Sequence, residues 1–250
     1  MSYENFAAVY DALQTNVDYA ARTEYLTELF KKYDRLPTLL LDVACGTGGF
    51  SYLFAEKGID VIGADPSPEM LGVARDKFAN AGKDALLLCQ SAEELDLYGT
   101  VDGAICCLDS LNHIIDEDEF KRSIARIALF LEPERLFVFD LNTEYKHKEV
   151  LSGKTFAVET EQVFCVWQNS ECDEDGIVDI SLDFFCENDD GTYERSSEDF
   201  SERAYSHEFI EECITKAGLE IVDVLGDMSF DAPKPNEERV FYITRRVNNG

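Results

Sequence analysis

The chain has 250 residues, 45% of them hydrophobic, enough to bury a sizeable core and suited to one α/β domain that carries an insertion. Its 51 acids against 22 bases give a formal net charge of −29, which disfavours nucleic acid and anionic membrane surfaces as partners and leaves a small molecule or a protein. The start Met1-Ser2-Tyr3-Glu4-Asn5-Phe6 lacks the basic and apolar regions of a signal peptide, and no apolar run reaches membrane-spanning length, so a cytoplasmic protein is expected.

In chain order, residues from about 5 to 33 read as two amphipathic helices broken at Asn16-Val17-Asp18, with Phe6, Val9, Tyr10 and Leu13 on one apolar face and Tyr25, Leu26, Leu29 and Phe30 on the next. The apolar run Leu39-Leu40-Leu41-Asp42-Val43 reads as a buried parallel strand, and Ala44-Cys45-Gly46-Thr47-Gly48-Gly49 as a tight turn into a helix. Gly46 and Gly48 remove side chains that would hold a ligand off the backbone, and the helix start behind them points free N–H groups into the same space. A carboxylate at the mouth of that loop, Asp42, would repel a pyrophosphate and favour a ligand carrying positive charge. Ile59 to Asp65 is the second strand. Its terminal acid is placed to accept both hydroxyls of a ribose, since a carboxylate offers two oxygens at the spacing of a vicinal diol. Ser67 then caps a helix with Pro68 in its first turn.

Further strands are expected at Ala85–Cys89, Val101–Cys107 and Leu136–Asn142, with a capping box at Asp116 to Glu119 opening the helix that Pro133 ends. In an open α/β sheet the ligand crevice lies beyond the strand carboxyl ends. Cys107, Leu108, Asp109, Ser110, Asn112 and His113 would border it, and Asp140 and Asn142 would emerge there to hold a substrate. From about 154 to 203 the period changes to alternation: Val178, Ile180, Leu182 and Phe184 against Asp179, Ser181 and Asp183, with a hairpin turn at Asn188–Gly191. This acidic insertion is expected to pack its apolar face over the core as a lid and to turn its acids outward. A helix at 207–216 capped by Ser206, and strands at 220–225 and 239–244, close the chain. No two cysteines have C-x-x-C spacing, so no metal is expected.

Asp42-Val43-Ala44-Cys45-Gly46-Thr47-Gly48 resembles the first motif of the class I methyltransferases that use S-adenosylmethionine, with Ala44 where the family more often has Gly. Asp65-Pro66-Ser67-Pro68-Glu69-Met70-Leu71 resembles that family's Asp-x-Ser-x-x-Met-Leu run, and Tyr3 with Tyr10-Asp11 resembles the pattern of its helical preamble. The resemblance implies a doubly wound, mostly parallel seven-stranded sheet with a reversed last strand, plus the antiparallel insertion. It divides the chain into a cap at 1–35, a cofactor-binding core at 36–150, the lid at 151–204 and the rest of the core at 205–250. It also implies S-adenosylmethionine on Tyr3, Tyr10, Asp42, Ala44, Cys45, Gly46, Gly48, Asp65, Pro66, Met70, Ser91, Ala92, Glu93, Cys107 and Leu108, although the family often has Asp at the position of Ser91. Tyr3, Tyr10 and Met70 read equally as packing residues, and Arg22 as a surface arginine or a partner of the methionine carboxylate.

The reaction implied is an in-line displacement at the sulfonium methyl onto a small, neutral or cationic acceptor, in a monomer or homodimer, with His113, Asp109 and Tyr205 as candidate bases. Alternatives are a sensor or docking module that binds the same cofactor without turnover, and a nicotinamide dehydrogenase. The last must place Ser51 at the third glycine of G-x-G-x-x-G.

Overall fold

The computed structural model describes residues 7, 10, 11, 13, 14, 17–160, 163–188 and 190–248. Tyr3 and Asp189 lie outside them. The elements in order are α1 (Tyr19–Tyr33), β1 (Leu39–Val43), α2 (Gly49–Glu56), β2 (Asp60–Asp65), α3 (Pro68–Asn80), β3 (Leu86–Cys89), β4 (Gly103–Cys106), α4 (Glu117–Phe130), β5 (Leu136–Asn142), β6 (Thr155–Glu159), β7 (Val163–Asn169), β8 (Ile177–Glu187), β9 (Tyr193–Arg203), α5 (His207–Lys216), β10 (Leu219–Gly226) and β11 (Arg239–Arg246).

Apart from α2, which starts at left-handed Gly48, these helices start where side-chain oxygens can take their free N–H groups. Asp18 accepts from Ala21, Ser67 from Met70, Asp116 from Asp118 and Glu119, and Ser206 from Phe209. Seven strands form one sheet in the order β10-β11-β5-β4-β1-β2-β3. Strands β1 to β5 pair in parallel, and β11 runs antiparallel to both β5 and β10. The fold class is the one the sequence implied.

Alternate residues of the central strands feed opposite helix layers. Leu40, Ile105 and Val138 pack with Leu26, Phe30 and Phe54 of α1 and α2. Leu41, Ala104, Phe137 and Phe139 pack with Phe120, Ile124, Ile210 and Ile214 of α4 and α5. All seven residues of β5 are buried, as a strand covered on both faces requires.

The insertion is a second sheet, β6-β7-β8-β9, with an apolar cluster of its own. Val178, Ile180, Leu182 and Phe184 face inward with Val163 and Cys165, and Leu13 of the amino-terminal segment packs against them. The acids divide between the faces. Asp183 and Asp179 take hydrogen bonds from the outward neighbours Arg195, Ser197 and Ser201. Glu198 and Glu202 are each 5% exposed and lie on the inward face, which differs from the expectation that the insertion turns its acids outward. The hairpin turn at 188–191 implies a return strand, although the sequence of β9 itself shows little alternation, and a six-residue π-helix, Lys146–Leu151, links β5 to the insertion.

Candidate active site

The loop after β1 turns through left-handed backbone at Ala44, Gly46 and Gly48, with φ of 55°, 54° and 73°. Such a φ strains an alanine and not a glycine, which accounts physically for a family preference for Gly where this chain has Ala44. A Cβ added at Gly46 would meet nothing within 4 Å, so the space before that backbone is open. At Gly48 it would come within 3.1 Å of Ala74 Cβ, so this glycine serves helix packing. Cys45 is 9% exposed beneath the loop.

Asp42 does not stand at the mouth of the loop. It is 2% exposed and accepts a 2.5 Å hydrogen bond from Ser51 in α2, and burial pushes its carboxyl up to about 7. Asp65 is 7% exposed, and its two oxygens accept from Gly46 N at 2.8 Å and Ser67 N at 2.9 Å. Burial raises its pKa against those two bonds. Met70 is buried behind it, and Pro66 is exposed. In the loop after β3, Ala92 and Glu93 are half-buried, and the buried Ser91 hydroxyl has no hydrogen-bond partner among the described residues. An orphaned hydroxyl fits a ligand contact on that side of the crevice.

The amino-terminal segment crosses above. Asp11 accepts from Thr47 of the glycine loop at 2.6 Å and from Lys77 of α3 at 3.0 Å. Tyr10 hydrogen-bonds with Tyr19, and burial together with the charge of Asp109 pushes its phenol up to about 12. Asp65 adds to that push, so Tyr10 is near both the acid closing β2 and the acid following β4. Arg22 is not a free surface arginine. It forms a two-pronged pair with Asp227 at 2.9 and 3.0 Å.

Beyond β4, Cys107 is buried, and Leu108 and Asp109 are both left-handed, with φ of 58° and 55°. Asp140, at the end of β5, fixes that turn by accepting from Leu108 N and Asp109 N, both at 2.8 Å. Arg239 of β11 bridges the two acids, hydrogen-bonding Asp140 and lying 3.1 Å from Asp109. Burial alone would raise the Asp109 carboxyl, but Arg239 and Lys146 hold it well below the usual carboxylate range. It is an anchored anion and a poor base. Asn142 carries the network to the insertion: its amide donates to Asp109 at 2.5 Å and to Glu202 at 3.0 Å, and it accepts from Lys146 at 2.9 Å.

His113 is the crevice residue with an accessible side chain, 44% exposed, its Nε2 3.8 Å from Glu202 and its ring 4.9 Å from that of Phe200. Tyr205, in contrast, sits in the helix layer. It donates to the carbonyl of Ile114 and packs between Phe120 and Phe209, so its hydroxyl is spoken for. Sequence reasoning missed Arg239, Glu202 and His147. The first two lie in strands with no motif around them, and the signal for each is only an ionisable residue at a position that the strand period places inward.

A family model described as a methyltransferase domain matches residues 40–134. A curated protein of Geobacillus sp. (strain WCH70), named as a methyltransferase, is 30% identical over 98% of this chain and 100% of its own length. The crystal structure of an S-adenosylmethionine-dependent methyltransferase from Clostridium acetobutylicum ATCC 824 superposes with a TM-score of 0.89 at 32% identity, covering 98% of this chain and 99% of the other. A glycine/sarcosine N-methyltransferase of Parasynechococcus marenigrum (strain WH8102) is 32% identical over 55% of this chain and 49% of its own length, so this chain spans about half of that relative.

Proposed function

This chain belongs to the S-adenosylmethionine-dependent methyltransferases, and we propose that it moves the methyl group by in-line displacement to a small, neutral or cationic acceptor held between the core crevice and the insertion. The observation that carries this reading is the hydrogen-bonded wall from Asp140 through Asp109 and Asn142 to Glu202, which joins core and insertion around the accessible imidazole of His113. A relative whose name gives glycine and sarcosine as acceptors supports a small acceptor.

S-adenosylmethionine supplies an electrophilic methyl on a positively charged sulfur. The chain's own residues have four tasks. Asp65 keeps two free lone pairs for ribose hydroxyls after binding Gly46 and Ser67. The bare backbone at Gly46 and the orphaned Ser91 hydroxyl face the remainder of that ligand. Tyr10, locked down through Asp11 and Thr47, covers it and excludes water, which strengthens every charge interaction inside. His113 presents a ring nitrogen to the acceptor and is the candidate to take its proton. Asp109 and Tyr205, both otherwise engaged, position and pack.

The test is methyl transfer from labelled S-adenosylmethionine across a panel of small amines, alcohols, carboxylic acids and an RNA oligomer. Turnover of a small amine or alcohol is expected. Transfer only to the acid or the RNA, or none to any member despite cofactor binding, would sink the reading.

A further inference from the structure

Along the inner face of β9, Glu198, Phe200 and Glu202 follow one another at alternate positions, opposite Leu182, Ile180 and Val178 of β8. Both carboxylates are buried, and their electrostatics differ from the rest of the crevice. Asp109 and Asp140 are balanced by Arg239, with Lys146 close by. Among the described residues, the basic groups within 4 Å of Glu202 are the imidazoles of His113 at 3.8 Å and His147 at 3.6 Å, beside the hydrogen bond from Asn142, and no lysine or arginine pairs with Glu198. Among the described residues Glu198 Oε1 is buried without a hydrogen-bond partner, and burial raises that carboxyl's pKa. A buried carboxylate oxygen left unpaired is costly, so the orphaned Glu198 Oε1, on the same face as Glu202 with its two imidazoles, marks a place that a hydrogen-bond donor completes. Phe200 stands between them along the strand, and its ring centroid is 4.9 Å from that of His113. Carboxylates flanking aromatic faces are the surroundings that stabilise an ammonium ion, through charge-assisted hydrogen bonds and through the ring quadrupole.

We propose that this face of the insertion is the acceptor subsite and that it takes a small amine as its ammonium ion, with Glu202 and Glu198 as counter-ions and Phe200 and His113 as its aromatic wall. The proposal rests on the small-acceptor reading above and names its chemical class. An ammonium nitrogen has no lone pair to give. One proton therefore passes from it to His113, whose new charge Glu202 balances. The freed lone pair then forms the N–C bond to the methyl carbon while the C–S bond breaks and leaves its electron pair on sulfur. The product is a methylated ammonium ion, and His113 returns its proton to solvent.

The experiment compares shape-matched pairs, cyclohexylamine with cyclohexanol and ethanolamine with ethylene glycol, by ligand-observed NMR on full-length protein saturated with S-adenosylhomocysteine. Wild type is expected to hold the amine at least about tenfold more tightly than its alcohol, and E202Q to remove most of that preference. Gln at 202 can still accept from Asn142, and S-adenosylmethionine titration with thermal unfolding checks that its fold and cofactor site are intact. E198Q, which touches no core hydrogen bond, is the second variant and is expected to weaken amine binding severalfold. Alcohols that bind as well as amines, no amine binding at all, or a preference that survives both variants would overturn the subsite. Amines that bind with this preference and are never methylated would instead overturn the transfer reading.

Discussion

Asp65 holds the cofactor loop together and still has acceptor capacity to spare. Its carboxylate has about four lone-pair sites, and the N–H groups of Gly46 and Ser67 take only two of them. Asp65→Ala is expected to lower S-adenosylmethionine affinity at least about tenfold, since charge-assisted hydrogen bonds are worth roughly 1.5–3 kcal/mol each. Calorimetric titration with unfolding as a control decides it, and unchanged affinity in a folded variant would move the ribose elsewhere. Asp42 makes a different prediction, about pH. Its folded carboxyl titrates at about 7, against 3.8 for the free side chain. Between those values the folded state binds more protons than the unfolded one, so this group's contribution to stability falls as pH rises from about 4 to 7. Asp42→Asn keeps an acceptor for Ser51 and removes the titration. The variant should match wild type below about pH 4 and exceed it near pH 8 by up to a few kcal/mol, since a tenfold change in proton affinity is worth about 1.4 kcal/mol. A variant no more stable than wild type at pH 8 would refute the buried, costly carboxylate.

The strand ends act as a unit because Arg239 of β11 sits between the acids of β4 and β5. Its side chain is 12% exposed, so Arg239→Ala would leave the buried Asp140 without its ion pair and Asp109 with only Lys146 nearby. A loss of about 3–5 kcal/mol in urea unfolding is expected. Arg239→Lys should recover only part of it, because a single ammonium cannot reproduce the fork that spans both acids. A loss below about 1 kcal/mol would mean that the backbone alone holds the Leu108–Asp109 turn. Elements differ in how clearly the sequence announces them, for the same reason that these ends do. β5 reads as Leu-Phe-Val-Phe because both its faces are covered, and helix starts are announced by Ser67, Asp116 and Ser206 because local hydrogen bonds make them. β9 is hard to read: Tyr-Glu-Arg-Ser-Ser-Glu-Asp-Phe-Ser-Glu-Arg shows almost no alternation, since three of its inward positions, Ser196, Glu198 and Glu202, are polar and only Phe200 is apolar. Asp42 reads as a loop-mouth residue because a motif gives order along the chain and not depth. Tyr205 reads as reactive because nothing local reveals that Ile114 takes its hydroxyl proton.

At the scale of the molecule, the insertion has its own apolar cluster and meets the core through few bonds, which sets up the last prediction. They include Asn112 to the carbonyl of Arg203 at 2.8 Å, Asn142 to Glu202 at 3.0 Å, His147 to the carbonyl of Gly176 at 3.0 Å, and Arg203 to Glu117 at 2.8 Å and to the carbonyl of Ile115 at 3.0 Å, with His113 beside Glu202 and Phe200. None of them touches Asp65, Gly46 or Ser91, so the cofactor half should survive without the insertion. β6 starts and β9 ends on the same side of their sheet: Thr155 pairs with Gln168, Gln168 with Ser181, and Ser181 with Asp199, four residues short of Arg203. Three strand spacings and that offset span roughly 20 Å, a distance about twelve Gly/Ser residues bridge as a relaxed chain. Replacing residues 155–203 by such a linker releases Asn112, Asn142 and His147 to water, which lowers stability without removing either core layer. S-adenosylmethionine affinity is then expected to stay within a few fold of wild type, while methyl transfer falls to the uncatalysed level because Glu198, Phe200 and Glu202 no longer orient an acceptor or exclude water. Titration and single-turnover transfer on the same sample separate the two effects. Transfer retained alongside cofactor binding would show that the acceptor is held by the core alone.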